Sequence, residues 1–119
     1  MVPEQTTRQT RNAAIANTII EQLGGRAFIA MTGANTFVYG EEFGSTFLKF
    51  QFPKAQNGVN RCHICLDPDD TYTVIFHRKH GKYTTLVDQT DGIYCDMLAE
   101  IFTDVTGLAT QFPRFGGTV

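Results

Sequence analysis

Residues 59–87, VNRCHICLDPDDTYTVIFHRKHGKYTTLV, decide the fold because apolar and polar side chains alternate along three consecutive segments. In residues 71–77 a tyrosine, a valine and a phenylalanine occupy every second position, which is the two-residue period of a strand. The clusters DPDD and RKHGK separate this segment from residues 59–66 and 83–87, and clusters of that composition form turns. The stretch therefore predicts three antiparallel strands.

Further strands are predicted upstream of this stretch. Residues 46–52 alternate cleanly and end at a proline, and residues 37–39 form a short apolar run before a glycine. Residues 27–31 are an apolar run that follows Gly24-Gly25 and precedes the turn sequence TGAN at 32–35, so we expect a strand there as well. The sheet should thus contain about five or six strands.

Helical periodicity is found at both ends of the chain. The first helix is expected to begin at a cap formed by Thr6 or Thr7 and to end at Gly24-Gly25. The last is predicted over residues 93–106, capped by Asp88 or Asp91 and followed by Gly107 in the left-handed conformation. The apolar stripes that define them are Ile15, Ala16, Ile19, Ile20 and Leu23 in the first helix, and Tyr94, Met97, Leu98, Ile101, Phe102 and Val105 in the last.

The order helix, strands, helix predicts an α+β fold in which an antiparallel sheet is packed on one face by an N-terminal and a C-terminal helix. A chain of 119 residues has the size of one domain, so 1–119 is predicted to be a single domain with flexible tails at 1–6 and 116–119. No apolar run approaches the length of a membrane span, and MVPEQTTRQTR lacks the apolar core of a signal peptide. We therefore expect a cytoplasmic protein without a membrane partner.

The three cysteines do not form a recognisable metal or disulfide pattern. Cys62 and Cys65 have the C-x-x-C spacing of zinc ligands, but on a strand their side chains point to opposite faces. A site built from Cys65, His63 and His77 stays as a less favoured alternative. We predict free thiols, with Cys62 and Cys95 in the core, and neither a metal nor another cofactor.

No catalytic set is predicted. The acidic cluster at residues 67–70 lacks the glycine and terminal glutamate of a calcium loop, and the following strand lacks the continuation of a metal-dependent nuclease motif. Asp-Pro-Asp clusters mostly form turns, and no nucleophile–base arrangement or phosphate loop can be recognised. A metal-dependent hydrolase is therefore the least favoured of three functional hypotheses.

Positive charge concentrates in residues 49–82, which hold six Lys or Arg and three Asp, whereas residues 83–119 hold five acids and one arginine. Strand alternation gathers much of this positive charge beside aromatic and aliphatic side chains on the sheet face away from the helices. Such a face suits an acidic protein surface or single-stranded nucleic acid. The predicted contact residues are Phe47, Lys49, Arg61, His63 and His77 on the face, with Arg78, Lys79 and Lys82 at a hairpin tip.

A stripe of acids on the last predicted helix, Asp96, Glu100 and Asp104, is a second candidate contact surface. Like charges at this spacing slightly destabilise a helix, so a basic partner would offset the repulsion. Because the stripe is complementary to the cationic face, a homodimer is one of the expected partner arrangements.

Three segments carry a resemblance: EQLGGRAFIAMTGA at 21–34, DTYTVIF at 70–76 and GIYCDMLAEIFTDVTGL at 92–108. Together they resemble a set of small uncharacterised proteins encoded by phages and other mobile elements. The resemblance implies a genetic setting in which small proteins often modify host machinery, inhibit host defence or assist phage DNA metabolism. The leading hypothesis is a non-enzymatic binding protein acting on a host or phage protein or ribonucleoprotein, and the alternative is a single-stranded nucleic-acid-binding accessory protein.

Overall fold

Five antiparallel strands in chain order form one sheet, with two N-terminal helices and one C-terminal helix contacting it. The computed structural model describes residues 4–111, with side chains from residue 7 onward. The helices are α1 (Glu4–Leu23), α2 (Gly25–Thr32) and α3 (Leu98–Thr106), and the strands are β1 (Asn35–Glu42), β2 (Ser45–Gln51), β3 (Arg61–Leu66), β4 (Tyr72–His80) and β5 (Tyr83–Ile93). Short 3₁₀ helices lie at Gln56–Gly58 and Cys95–Met97. The predicted fold class is confirmed.

The strand register assigns the two faces of the sheet. Paired residues of antiparallel strands lie on the same face, so a row of apolar residues on β2 continues through β3 and β4. The two rows that face the helices are buried: Leu48, Ile64 and Val74 form one, and Phe50, Cys62 and Phe76 the other. The alternation in the sequence therefore predicts the buried face correctly.

Phe102 of α3 connects the helices to the sheet through a cluster of aromatic rings. Its centroid lies 5.2 Å from that of Phe28, 5.3 Å from Phe52, 6.0 Å from Phe76 and 6.1 Å from Phe50. Ring pairs at 4.5–7 Å contribute beyond the apolar area that they bury. This cluster holds α2, α3 and the central strands in one core.

Helix α1 packs on the same face. Ala16, Ile19 and Leu23 are buried as predicted, and Asn12 accepts a buried hydrogen bond from the Thr46 hydroxyl at 2.7 Å. The helix begins at Glu4, ahead of the predicted cap at Thr6 or Thr7, so residues 4–6 belong to α1. The rest of the predicted tails, 1–3 and 116–119, lies outside the described residues.

Residues 27–31 are helical, so the predicted strand is wrong. Gly24 has φ +132° and ends α1, as expected, but the chain resumes a helix at once. The buried residues of α2, Gly25, Phe28 and Thr32, recur at three- and four-residue intervals, which is the period of a helix. A short apolar run does not distinguish the two structures without this burial pattern.

The predicted last helix, 93–106, is correct only in its C-terminal part. Strand β5 continues to Ile93, which pairs with Tyr72 and is buried, and both predicted capping aspartates, Asp88 and Asp91, lie within this strand. Tyr94 is 62 % exposed, so its helical spacing relative to Leu98 is coincidental. In α3, Leu98 and Phe102 are buried and Ile101 and Val105 pack partly against the core. Gly107 takes the predicted left-handed conformation, with φ +75°.

The other strand predictions are right in position but differ in extent, and β3 begins at Arg61, two residues after the predicted start. Residues 37–39 and 83–87 lie within the longer strands β1 and β5. The strands β1 and β2 are joined by the two-residue loop Phe43-Gly44, in which both residues have positive φ, +52° and +80°. Phe43 is fully exposed at this tip.

Replacing Phe102 by alanine should lower the free energy of unfolding by about 3–5 kcal/mol, because the cavity left in the ring cluster cannot close fully. Chemical denaturation followed by circular dichroism measures the change. Tyr94→Ala is the matched control and should shift stability by less than about 0.5 kcal/mol, since Tyr94 is exposed. Equal losses in the two variants would contradict the assignment of the core.

Replacing Phe43 by asparagine should raise the free energy of unfolding by about 1 kcal/mol, because asparagine tolerates the left-handed conformation better than phenylalanine. Phe43→Ala removes the same exposed ring but keeps the conformational penalty, so it should gain less. Denaturation curves of both variants, compared with the parent, measure the difference. A loss of stability in Phe43→Asn would mean that the ring supports the fold.

Candidate functional site

The sheet face opposite the helices gathers the predicted cationic residues. Strand pairing aligns Lys49 with His63, and Arg61 with His77, so all four lie in two adjacent rows on β2, β3 and β4. Lys49 is exposed and the other three are half-buried. Strand geometry alone therefore brings them together on this open face.

An open cavity of about 350 Å³ lies between these residues. Five of the eight predicted contact residues line it, and Thr84, Phe50 and Cys62 complete the wall. The five are Lys49, Arg61, His63, His77 and Lys79. None of the described residues that line the cavity is acidic, so the cavity is suited to a negatively charged group.

The cations at the cavity are held by few competing anions. The Lys49 ammonium lies 3.8 Å from a carboxylate oxygen of Glu42, an exposed pair of small energetic weight. Arg61 donates from Nη1 to the backbone carbonyl of Asn60 at 2.9 Å, which orients its guanidinium without neutralising it. The positive charges of Lys49 and Arg61 therefore remain available to a carboxylate or phosphate of a partner.

Phe47, also predicted as a contact residue, borders the cavity residues but is covered. Lys49 Nζ lies 5.0 Å from its ring centroid, and the His63 ring packs against it edge-on at 5.3 Å. A Cβ atom at Gly40 would lie only 3.0 Å from the ring, so the ring rests on the β1 backbone. Phe47 thus supports Lys49 and His63 and is a poor platform for a stacked base.

His63 is held close to its neutral form. Burial lowers its pKa below the ordinary 6.5, the neighbouring charges of Lys49 and His77 lower it further, and only Glu42 acts in the opposite direction. Its Nε2 lies 3.3 Å from Sγ of Cys65. An anion placed in the cavity would favour the protonated imidazole.

Cys65 is not an activated nucleophile despite this contact with a histidine. Burial raises the pKa of its thiol, and the charges of Asp67 and Glu42 raise it as well, against a smaller effect of Lys49. A nucleophilic cysteine needs the thiolate, whereas the raised pKa of Cys65 and the lowered pKa of His63 both favour the neutral forms. The contact is a hydrogen bond within the open face.

The remaining cysteines differ from each other in environment. Cys62 is buried in the core as predicted, where burial raises the pKa of its thiol, but Cys95 is exposed in the 3₁₀ helix and its core assignment is wrong. Among the side chains of residues 7–111, no three from His, Cys, Asp or Glu converge on a point where they could hold a metal ion.

Arg78 and Lys82 are not brought to the cavity. Arg78 lies two residues after buried Phe76 on β4 and so shares its face, away from the cavity. Its Nη1 donates to the carbonyl of Asn57, in the 3₁₀ helix Gln56–Gly58, at 3.3 Å. Lys82 lies in the turn of the β4–β5 hairpin, 5.9 Å from the ring centroid of Tyr83. The predicted contact surface is therefore two features, a cavity on the open face and a basic hairpin beside it.

Sequence reasoning missed Asn60, which precedes β3 and positions this hairpin. Its side chain accepts from the Lys79 amide at 2.8 Å and donates to the Lys79 carbonyl at 3.0 Å. The sequence does contain a signal: the predicted strand before residue 67 is too short to pair with the polar residues that follow His77. An asparagine just before that strand is a candidate for hydrogen bonds from its side chain to the unpaired backbone of the polar residues.

The three acids of the predicted stripe are exposed but do not share one α-helix. Asp96 lies in the 3₁₀ helix, whereas Glu100 and Asp104 lie on α3. The spacing i, i+4, i+8 therefore applies only from Glu100 onward. The stripe stays a proposed second contact surface.

Within residues 4–111, the helices are too short or too polar for any of them to pass through a bilayer. Comparison of the chain with protein-family models, with curated proteins and with solved structures found no match. The geometry of the open face is accordingly the basis for a function.

Replacing His63 by glutamine should reduce the loss of stability on acidification. Because the pKa of His63 is lowered in the folded state, the unfolded chain binds more protons between that lowered pKa and 6.5, and stability falls as pH decreases through this range. Urea denaturation of parent and variant at neutral and at mildly acidic pH measures the effect. An unchanged pH dependence in His63→Gln would show that this histidine does not contribute to it.

Proposed function

We propose that this chain is a small non-enzymatic binding protein of a phage or mobile element, which holds an acidic segment of a host protein or ribonucleoprotein in the cavity of the open face. The observation that carries the proposal is the convergence of Lys49, Arg61 and Lys79 with two histidines around one cavity. Cations that face acidic groups across an interface give specificity and fast association. The genetic setting favours a cytoplasmic target in the host and an inhibitory effect on host defence.

Binding is favoured over catalysis by the state of the reactive side chains. Cys65 and His63 form a neutral pair, and the nearby aspartates are engaged in a turn. Thr73 donates to Asp67 at 2.6 Å, and hydrogen bonds from Thr71 hold the pKa of Asp69 below its usual range. These carboxylates stabilise the β3–β4 turn, as their sequence pattern predicts.

A protein segment is favoured over single-stranded nucleic acid because the open face offers little surface for base stacking. Proteins that bind single strands stack bases on exposed aromatic rings. Phe47 is covered by Lys49 and His63 and lies on the β1 backbone. Tyr83, which is 69 % exposed and lies beside Lys82, offers a ring next to a cation and so supports the single-strand alternative.

A second copy of the chain can meet this face only in an asymmetric way. Two open faces placed together would oppose cation with cation, which is destabilising. An exposed acid pair such as Glu100 and Asp104 against the open face of a neighbour is complementary, but it is a head-to-face contact. A homodimer is therefore a secondary proposal beside a distinct acidic partner.

The test is the variant Lys49→Glu/Arg61→Glu, assayed for binding of a fluorescein-labelled polyglutamate peptide by fluorescence anisotropy. We expect the parent to bind at low salt and the variant to lose at least about tenfold in affinity, because both reversals place like charges in the cavity. Arg26→Glu/Lys54→Glu is the matched control, since these two cations do not line the cavity. It should retain most of the affinity.

The milder variant Lys49→Ala/Arg61→Gln keeps the test decisive if the charge reversals unfold the chain. Equal affinity of parent and either folded variant for the peptide would contradict the site. Tighter binding of an unstructured oligothymidine than of polyglutamate would favour the single-strand alternative instead. Analytical ultracentrifugation of the parent alone measures self-association.

A further inference from the structure

The β4–β5 hairpin extends beyond the sheet as a two-stranded ribbon. The pairing of β3 with β4 ends at Arg61 and His77, whereas β4 and β5 stay paired up to the turn. Beyond the sheet the ribbon consists of Arg78 to His80 paired with Tyr83 to Thr85. Residues 78–86 are all exposed, and we call this ribbon the arm; only its base contacts other described residues, at positions 57–60.

The arm is basic in a chain of net negative charge. Residues 71–87 contain Arg78, Lys79 and Lys82 and two histidines but no aspartate or glutamate, although the whole chain has a net charge of −2. The facing strand supplies Thr84 and Thr85, whose hydroxyls can hydrogen-bond without adding negative charge. The composition is that of a surface for phosphates.

The base of the arm is fixed in orientation. Asn60 makes two hydrogen bonds to the Lys79 backbone, at 2.8 and 3.0 Å, and so continues the ladder of β3 by one side chain. The stem of Arg78 packs on Gly58, where a Cβ atom would lie 2.7 Å from Cδ. A ribbon held in this way loses less conformational entropy on binding than a free loop would.

The dimensions of the arm match the major groove of B-form DNA. That groove is about 12 Å wide and about 8.5 Å deep and admits a two-stranded β-ribbon. Three residues of strand beyond the sheet extend about 10 Å, enough to reach the floor of the groove. The major groove of A-form RNA is too narrow and deep for the same entry.

We propose that the arm binds the major groove of duplex DNA, with Arg78, Lys79 and Lys82 contacting phosphates. This function goes beyond the acidic-segment site: Lys79 borders both sites, whereas Arg78 and Lys82 belong to the arm alone and do not line the cavity. The two sites lie side by side, which suits a target in which protein and duplex are present together.

Fluorescence anisotropy of a labelled duplex of about 20 base pairs tests the arm. We expect binding at low salt whose log K falls with log salt at a slope near −3, about −0.9 for each of three phosphate contacts. Arg78→Glu/Lys82→Glu should lower affinity by at least about tenfold and reduce the slope by about 2. Arg26→Glu/Lys54→Glu carries the same change in net charge away from the arm and should retain the slope.

Three outcomes would overturn the arm as a major-groove ligand: no binding of the parent at low salt, equal loss in the two double variants, or equal affinity for double-stranded RNA of the same length. Netropsin, which occupies the minor groove, should not displace the protein. Lys82→Glu alone, at the exposed turn, keeps the fold and should give about half the change in slope. Polyglutamate binding tests the proposed function separately: Lys49→Glu/Arg61→Glu should lose it and Arg78→Glu/Lys82→Glu should keep it. The two proposals can therefore fail independently.

Discussion

The register of β2, β3 and β4 is the constraint on which the rest of this structure depends. A shift of one residue in either pairing would exchange the two faces of a strand, placing Arg61 and His63 under the helices and Cys62 and Ile64 in water. The ring cluster around Phe102 prevents that exchange, because its contacts require both Phe50 and Phe76 on the helix side. The cationic cavity is therefore a consequence of how the core is packed.

Much of this arrangement can be predicted from the sequence because a strand period of two leaves little freedom. The alternation in residues 46–52 and 71–77 identifies both the buried rows and the opposite, cationic rows. The errors lie where the spacing of the apolar residues does not distinguish a helix from a strand. Residues 27–31 are too short an apolar run to distinguish a strand from a helix, and Tyr94 and Met97 have helical spacing by coincidence ahead of α3.

The candidate site was less predictable than the fold, for a geometric reason. The sequence indicates which side chains share a face, but not the residue at which one strand extends beyond the end of its neighbour. Arg78 and Lys79 are adjacent in sequence, yet one reaches the Asn57 carbonyl and the other lines the cavity. Nor does alternation reveal that Phe47 is covered by Lys49, which changes the chemistry expected of the whole face.

Asn60 has a consequence for how such a protein can change over evolutionary time. Its amide group supplies the arm with a pair of hydrogen bonds that a longer β3 would otherwise provide. The stiffness of the arm is thus determined by one position outside it, whereas its charge is determined by positions within it. Selection can adjust the two properties separately, so that a relative with another residue at this position would keep the same basic surface on a looser hinge.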